Sequence, residues 1–158
     1  MYVDINILEG MSSAKSVPFE TTLRVRDCCL CLHVQKAARA LARRFDEVLR
    51  PLGLTNGQFS LLMSLNRPEA ASMASVAGLL AMDRTTLTAA LKPLERRGLV
   101  EVFADRLDRR SRRLSLTPEG RTLLASAVPI WEQTHREVEA LLTEVDPDSL
   151  RKSLRALS

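Results

Sequence analysis

Residues 76–100 read VAGLLAMDRTTLTAALKPLERRGLV, and this stretch decides the fold. Val76, Leu79 and Leu80 mark a short helix that ends in a tight turn at Ala81-Met82. Asp83 follows as an N-cap, a residue type whose carboxylate accepts the amides a helix leaves unpaired at its start. Leu87, Leu91 and Leu94 then recur at spacings of four and three, which places them on one helical face. Arg84, Thr85, Thr86, Thr88 and Lys92 are left outside, and Gly98 stops the helix. Two helices joined by a tight turn, the second exposing short hydroxyls and cations, make a helix-turn-helix. Pro93 lies inside the second helix and removes one backbone hydrogen bond there.

Downstream, LVEVFA and RLSL read as strands, and DRLDRRSR between them as a polar hairpin tip. The tip carries Arg106, Arg109, Arg110 and Arg112, with Asp108 placed to pin an arginine through a bidentate pair. Thr117-Pro118 caps a further helix with proline in its tolerated first position. The stripe of that helix is Leu124, Ala127, Trp131, Thr134, Val138, Leu141 and Val145, and Pro129 predicts a kink. Asp146-Pro147 opens a last short helix, SLRKSLRAL. Upstream, Cys31, Val34, Ala38, Leu41, Phe45, Val48 and Leu52 form another stripe at 3–4 spacing, closed by Gly53. Thr55-Asn56-Gly57-Gln58 has the form of a capping box and opens FSLLMSLN, which Arg67-Pro68 ends.

The expected fold is therefore mainly α with a small β-hairpin: a winged helix-turn-helix flanked by N- and C-terminal dimerisation helices. Residues 1–20 read as a flexible arm, with Met11 as an alternative start. Residues 21–53 read as the N-terminal dimerisation helix, 54–117 as the winged helix-turn-helix and 118–158 as the C-terminal dimerisation helices. The two apolar stripes exceed what a small winged domain needs for itself, and a second copy would bury them.

At 158 residues, 46% hydrophobic and 27% charged, the composition is that of a soluble chain long enough for one core. Aromatics are only 4%, so Leu, Ala and Val must fill that core, which favours helix. The longest uncharged run, Pro51 to Asn66, is too short and too polar to span a membrane. The N-terminus has early acids and no basic-then-apolar layout, so the chain reads as cytoplasmic.

The net charge is +4, and its placement is informative. From Met82 to Arg113 there are nine basic residues against five acidic ones, so this segment alone carries the surplus. A confined basic surplus is the footprint of a polyanion partner. A helix fits the major groove of B-DNA with its first turn at the base edges, and its amides favour phosphate. Thr85, Thr86 and Thr88 could donate to phosphates or touch thymine methyls, Arg84 could take guanine or phosphate, and Ala89 and Ala90 allow close approach. Arginines at the tip suit phosphates and narrow minor grooves.

The chain holds no glycine-rich phosphate loop, GxSxG or HExxH, and His33 and His135 lie far apart. Neither catalysis nor a cofactor is expected. A second non-enzymatic reading stands beside DNA binding, a winged-helix module whose basic wing docks an acidic protein. Steep salt dependence and sequence preference with DNA separate the two.

The stretch DRTTLTAALKPLERRGLVEVFADRLDRRSRRLSLTPEG resembles the core of the multiple antibiotic resistance regulator (MarR) family of bacterial transcription factors. LRPLGLTNGQFSLLMSLN extends the resemblance, which covers roughly residues 28–157. It implies a homodimer on double-stranded DNA at a near-palindromic operator, more often a repressor than an activator. It also implies a small aromatic or apolar effector. The residues it places at DNA are Arg84, Thr85, Thr86, Thr88 and Lys92 on the helix opened by Asp83, with Asp108 and Arg110 at the wing. Leu107 stands where many members carry a basic residue.

Cys28, Cys29 and Cys31, with His33 beside them, raise three readings. At about 100° per residue, Cys28 and Cys31 lie about 60° apart while Cys29 points nearly opposite Cys31. Zinc wants four converging ligands, so a metal site within one chain is not expected. A CxxC at a helix N-terminus feels the positive end of the dipole, which favours the thiolate. Some members of the resembled family sense organic peroxides through a cysteine near the start of this helix. The other reading makes Cys28 and Cys31 small apolar packers. Switch and packing both stay open.

Overall fold

The computed structural model describes residues 16–157. The chain divides after Ala38 into two units. The first carries helix α1 (Phe19–Cys28) and the opening turns of α2 (Leu30–Leu49). The second continues through a 3-10 turn (Arg50–Leu52), α3 (Asn56–Leu65), β1 (Ala71–Ser72), α4 (Met73–Leu79) and α5 (Arg84–Arg96). It then runs through β2 (Val100–Ala104), β3 (Arg112–Leu116), α6 (Pro118–Glu139) and α7 (Pro147–Arg155). Most of the arm expected over 1–20, Met11 included, lies outside the described residues, while Phe19 and Glu20 already belong to α1.

The single N-terminal helix expected over residues 21–53 is two. Cys29 has extended backbone (φ −75°, ψ 103°) and separates α1 from α2. Its amide closes α1 on the Val25 carbonyl at 3.0 Å, and its own carbonyl accepts the His33 amide at 3.1 Å. The break therefore leaves few backbone groups unpaired, and the apolar stripe starts only beyond it, at Cys31. At the other end α2 stops at Leu49, not Leu52. Pro51 has no N–H to return to a carbonyl four residues back, and the chain tightens into the 3-10 turn. Gly53, with φ 65°, supplies the expected left-handed cap.

The core lies in the second unit. Leu87, Leu91 and Leu94 of α5 are buried as their spacing predicts, against Leu49, Leu61, Leu62, Leu65, Val76, Leu114 and Leu124. Sequence capping signals hold throughout. Thr55 and Gln58 make both halves of the capping box, and Asp83, Thr117 and Asp146 each accept an amide of their helix's first turn. Ser72 does the same for α4, a cap the sequence reading did not single out. Ala81 takes the left-handed φ of 50° that the tight turn between α4 and α5 demands.

The hairpin belongs to a three-stranded antiparallel sheet of order β1-β3-β2. Val100 pairs with Leu116 and Ala104 with Arg112, while β1 adds Ala71 opposite Leu114 and Ser72 opposite Arg113. The sheet hands the chain to α6 through a close approach at Gly120, where a β-carbon would strike the Leu99 carbonyl oxygen. Only glycine fits there. Helix α6 is continuous through Pro129 but ends at Glu139, short of Val145. Much of both apolar stripes finds no cover in the chain. Val34, Leu41, Leu141 and Val145 are exposed, as are Leu154 and Leu157 of the last helical segment.

Candidate nucleic-acid interface

Asp83 builds the start of α5 twice over. Its Oδ1 accepts the Thr86 amide at 2.8 Å and its Oδ2 the Thr86 hydroxyl at 2.6 Å. These bonds to the anion, led by the hydroxyl, hold the carboxyl below its ordinary value. The three threonines expected to face outward are thus unequal. The Thr86 hydroxyl donates to Asp83 and the Thr88 hydroxyl to the Arg84 carbonyl at 2.7 Å, so each offers a partner its lone pairs only. Thr85 makes no side-chain bond among the described residues and keeps its proton available. Arg84, Thr85, Thr86, Thr88 and Lys92 are all exposed, and the helix continues through Pro93.

The wing is shaped by carboxylates in a way that corrects one expectation. Asp108 does not pin an arginine side chain. Its Oδ1 accepts the Arg110 amide at 3.0 Å and its Oδ2 the Ser111 hydroxyl at 2.7 Å, folding the tip as an Asx turn. Asp105 accepts the Leu107 amide at 2.8 Å with one oxygen and Arg113 Nε at 2.5 Å with the other. The Leu107 amide first, and Arg113 next, hold the Asp105 carboxyl below its ordinary value. Arg113 also reaches the Ala70 carbonyl at 3.4 Å, so it braces the sheet between β1 and the tip. The tertiary pairing that fixes an arginine could not be read from spacing along the loop, where both aspartates look alike.

With Arg113 committed inward, Arg106, Arg109, Arg110 and Arg112 remain exposed with no ion-pair partner among the described residues. Arg84 from α5 and Arg110 and Arg112 from the wing line one cleft of about 430 Å³ against Ser72, Met73 and Ala77 of β1 and α4. Arg84 and Arg112 also line a second cleft of about 450 Å³ with Thr88 and Glu95. Helix and wing therefore present their cations to common concavities. Lys92 opens onto a separate one with Glu95 and Arg96. The contribution of α4 was not anticipated, although Ser72-x-x-Ser75 is a capping pattern that could have placed its first turn.

Arg97 holds the far end of α5. It gives Nη1 to the Gly53 carbonyl at 2.6 Å, satisfying a carbonyl left free where the 3-10 turn ends. It is structural in the chain, not an outward cation.

The three cysteines are free thiols, with Cys28 and Cys31 exposed. Because the helix breaks at Cys29, Cys28 ends α1 and only Cys31 sits in a first turn, so the helix-dipole argument applies to Cys31 alone. Packing within the chain does not account for either residue. Gln35 approaches Cys31 Sγ at 3.2 Å, and His33 Nε2 donates to the Asp27 carbonyl at 3.2 Å. Among the described residues no group of three or more His, Cys, Asp or Glu is placed to hold a metal ion. None of the helices described is long and apolar enough to cross a membrane.

Comparison with known proteins gives this geometry a family. The MarR family model matches residues 54–111, from the start of the α3 cap to the tip of the wing. A crystal structure of the Mycobacterium tuberculosis transcriptional regulator MosR in complex with DNA is 39% identical, with a TM-score of 0.74 over 82% of this chain and 92% of that one. The repressor CouR, known from Rhodococcus jostii and solved on a 23-mer DNA duplex, is 29% identical, with a TM-score of 0.74 over 85% of this chain and 94% of that one. The organic hydroperoxide resistance transcriptional regulator of Bacillus subtilis is 31% identical over 64% of this chain and 69% of its own length. The two solved structures match over 82% and 85% of this chain, well beyond the residues the family model covers. The chain belongs to the MarR family of winged helix-turn-helix DNA-binding transcriptional regulators.

Proposed function

We propose that the chain acts as a cytoplasmic homodimeric repressor on a near-palindromic operator. Residues 54–117 form the DNA-binding region, and the flanking helices form the dimer interface. Helix α5 enters the major groove, with Arg84, Thr85 and Lys92 making the primary contacts and Thr86 and Thr88 accepting from base edges. Asp83 fixes the helix start, and the wing carries Arg106, Arg109, Arg110 and Arg112 to the adjacent minor groove on the turn that Asp108 shapes. The observation that carries the reading is the convergence of Arg84, Arg110 and Arg112 on one cleft. Three unpaired guanidiniums in one concavity have no internal partner and repel one another, which a phosphate backbone relieves.

Dimerisation is supported by apolar surface the chain leaves uncovered at both ends, Val25, Leu30 and Val34 in one unit and Leu141, Leu142, Val145, Leu154 and Leu157 in the other. Two copies related by a two-fold axis would bury such faces and present two reading helices to two half-sites. Selection from a random duplex library, followed by anisotropy titration of the winner, tests the reading. Tight, salt-sensitive binding to an inverted repeat with two chains per site is the expected result. Binding no stronger than to random duplex would overturn it in favour of protein docking.

Release by small ligand or by thiol oxidation completes the proposal. An exposed Cys31 in the first turn of α2 is positioned for attack on a peroxide, which would be reduced to alcohol while the thiolate becomes a sulfenic acid. The change falls beside the uncovered apolar residues of the same unit. Loss of operator binding on peroxide treatment, absent in Cys31→Ser, is the expected outcome. Equal sensitivity in the variant would remove Cys31 from the mechanism.

A further inference from the structure

Two large apolar side chains of the DNA-binding region are not in its core. Leu79 at the end of α4 is 62% exposed and Met63 on α3 is 42% exposed. Both turn into one cleft of about 510 Å³ between α3, the end of α4 and α6, within the size range of small-molecule sites. Phe59 and Trp131 supply an aromatic wall, their rings stacked at 6.1 Å with 20° between planes. The cleft is mostly apolar, and its polar groups decide what it can hold.

Glu132 is the one charged residue lining the cleft, and no lysine, arginine or histidine lines it. The Glu132 carboxylate has no hydrogen bond or ion pair among the described residues. The basic side chains nearest along α6 are engaged by other groups: Arg136 donates Nη2 to Gln133 at 2.8 Å, and the His135 ring stacks on Trp131 at 4.7 Å with its Nε2 3.1 Å from Glu139. The Ser64 hydroxyl is directed to the Leu61 carbonyl at 2.6 Å. An acid seated on the aromatic wall would meet an anion with no counter-charge. A neutral ligand would gain nothing from Glu132, which is exposed and stays hydrated. A cation is the one class that the carboxylate attracts.

We propose that this cleft binds an amphipathic organic cation, an apolar or aromatic body on Phe59, Trp131, Met63 and Leu79 with an ammonium against Glu132. The proposal names the chemical class of the small ligand invoked above, adding a positive charge to the small aromatic or apolar effector that family resemblance implies. It rests on the ligand-release reading only for its consequence at DNA, because binding itself is read without DNA.

Trp131 is the sole tryptophan of the chain, so its emission reports occupancy directly. The full-length protein is titrated with benzyltrimethylammonium, with benzyl alcohol as the neutral and phenylacetate as the anionic comparison at constant ionic strength. The expected result is saturable change with the cation, weaker response to the alcohol and none to phenylacetate. Glu132→Gln, a surface substitution checked by circular dichroism, should weaken the cation by about tenfold. A phenylacetate response equal to the cation's, or a Glu132→Gln affinity within about twofold of wild type, overturns the proposal. So does an emission that ignores all three compounds and changes on dilution, which would mean that a second copy covers the cleft. A failed operator selection leaves each of these outcomes readable.

Discussion

Arg110→Ala has a consequence that can be worked out before any operator is known. Arg110 is exposed at the wing tip and shares its cleft with Arg84 and Arg112, all three guanidiniums without an internal partner. If each neutralises one phosphate, a dimer makes twice three such contacts. Each contact contributes about 0.9 to the fall of log K with log salt, so these side chains account for a slope of about −5.4. Arg110→Ala removes one contact per chain and should flatten the slope by about 1.8. Over a fourfold rise in salt, from about 50 to 200 mM, the deficit of the variant relative to wild type then shrinks by about twelvefold. Anisotropy titrations across a salt series measure this, with sedimentation and thermal melting showing that dimer and fold persist. A slope change of about 0.9 would mean one chain per site and refute the dimer. A loss of affinity with an unchanged slope would refute the phosphate role, and no change at all would take the wing off the DNA.

Two further outcomes test the fold that carries the site. Gly120→Ala drives a β-carbon into the Leu99 carbonyl oxygen and should destabilise by about 3 kcal/mol, a fall in Tm of about 6–12 °C. Gly57→Ala, whose β-carbon would meet only Thr55 Oγ1 at 4.0 Å, is the control and should melt at or above wild type. Equal melting of the two variants would refute the close approach of α6 to the Leu99 carbonyl. Acid stability is the second. Asp83, Asp105 and Asp146 are held below their ordinary value of 3.8 by amide and side-chain donors. A lowered folded-state pKa gives stability that is whole above the ordinary value and is lost as pH falls through the lowered one. Tm should be level from about pH 7 to 5 and drop below about pH 4. Asp105→Asn should make that drop shallower, and an unaltered acid limb would show that Asp105 is not shifted.

The reading unit was legible because every piece of it is local. Leu87, Leu91 and Leu94 set the face of α5, Asp83 and Gly98 its ends, and Thr117-Pro118 the start of α6. Such signals act within a turn or two of the residue that sends them, and no tertiary partner is needed to interpret them. The failures are of another kind. The stripe through Cys31, Val34 and Leu41 told which face was apolar but not what covers it, and the chain itself does not. The stripe begins only at Cys31, beyond the break at Cys29, so it carries no information about how residues 21–29 join it. Val145 continued the α6 pattern beyond the point where the helix ends, with no glycine or proline to announce the stop. Two-residue β1 is too short for any alternation, yet it supplies the edge against which Arg113 sets the wing. The ligand cleft was hidden for a related reason: Leu79 and Met63 have the spacing of core residues, and only the packing leaves them open.

Net charge along the segment does not say what its acids do for the interface. Of the five acids between Met82 and Arg113, three bond to groups within the same segment. Asp83 binds the first turn of α5, Asp105 binds the Leu107 amide and Arg113, and Asp108 binds the Arg110 amide and the Ser111 hydroxyl. Their oxygens are occupied by backbone amides, by the Thr86 and Ser111 hydroxyls and by one arginine that braces the sheet. Glu95 and Glu101 are the remaining acids of the segment. Arg84, Arg106, Arg109, Arg110 and Arg112 have no such internal partners among the described residues. The negative charge of these acids still counts in the long-range field, so what they add is geometry. They stiffen the loop, and the backbone entropy that a mobile tip would lose on binding is already lost in folding. By this logic Asp108→Ala should lower affinity despite making the chain more positive, and it should do so without lessening the salt slope. Affinity that rises with the added charge would mean that the turn has no positioning role.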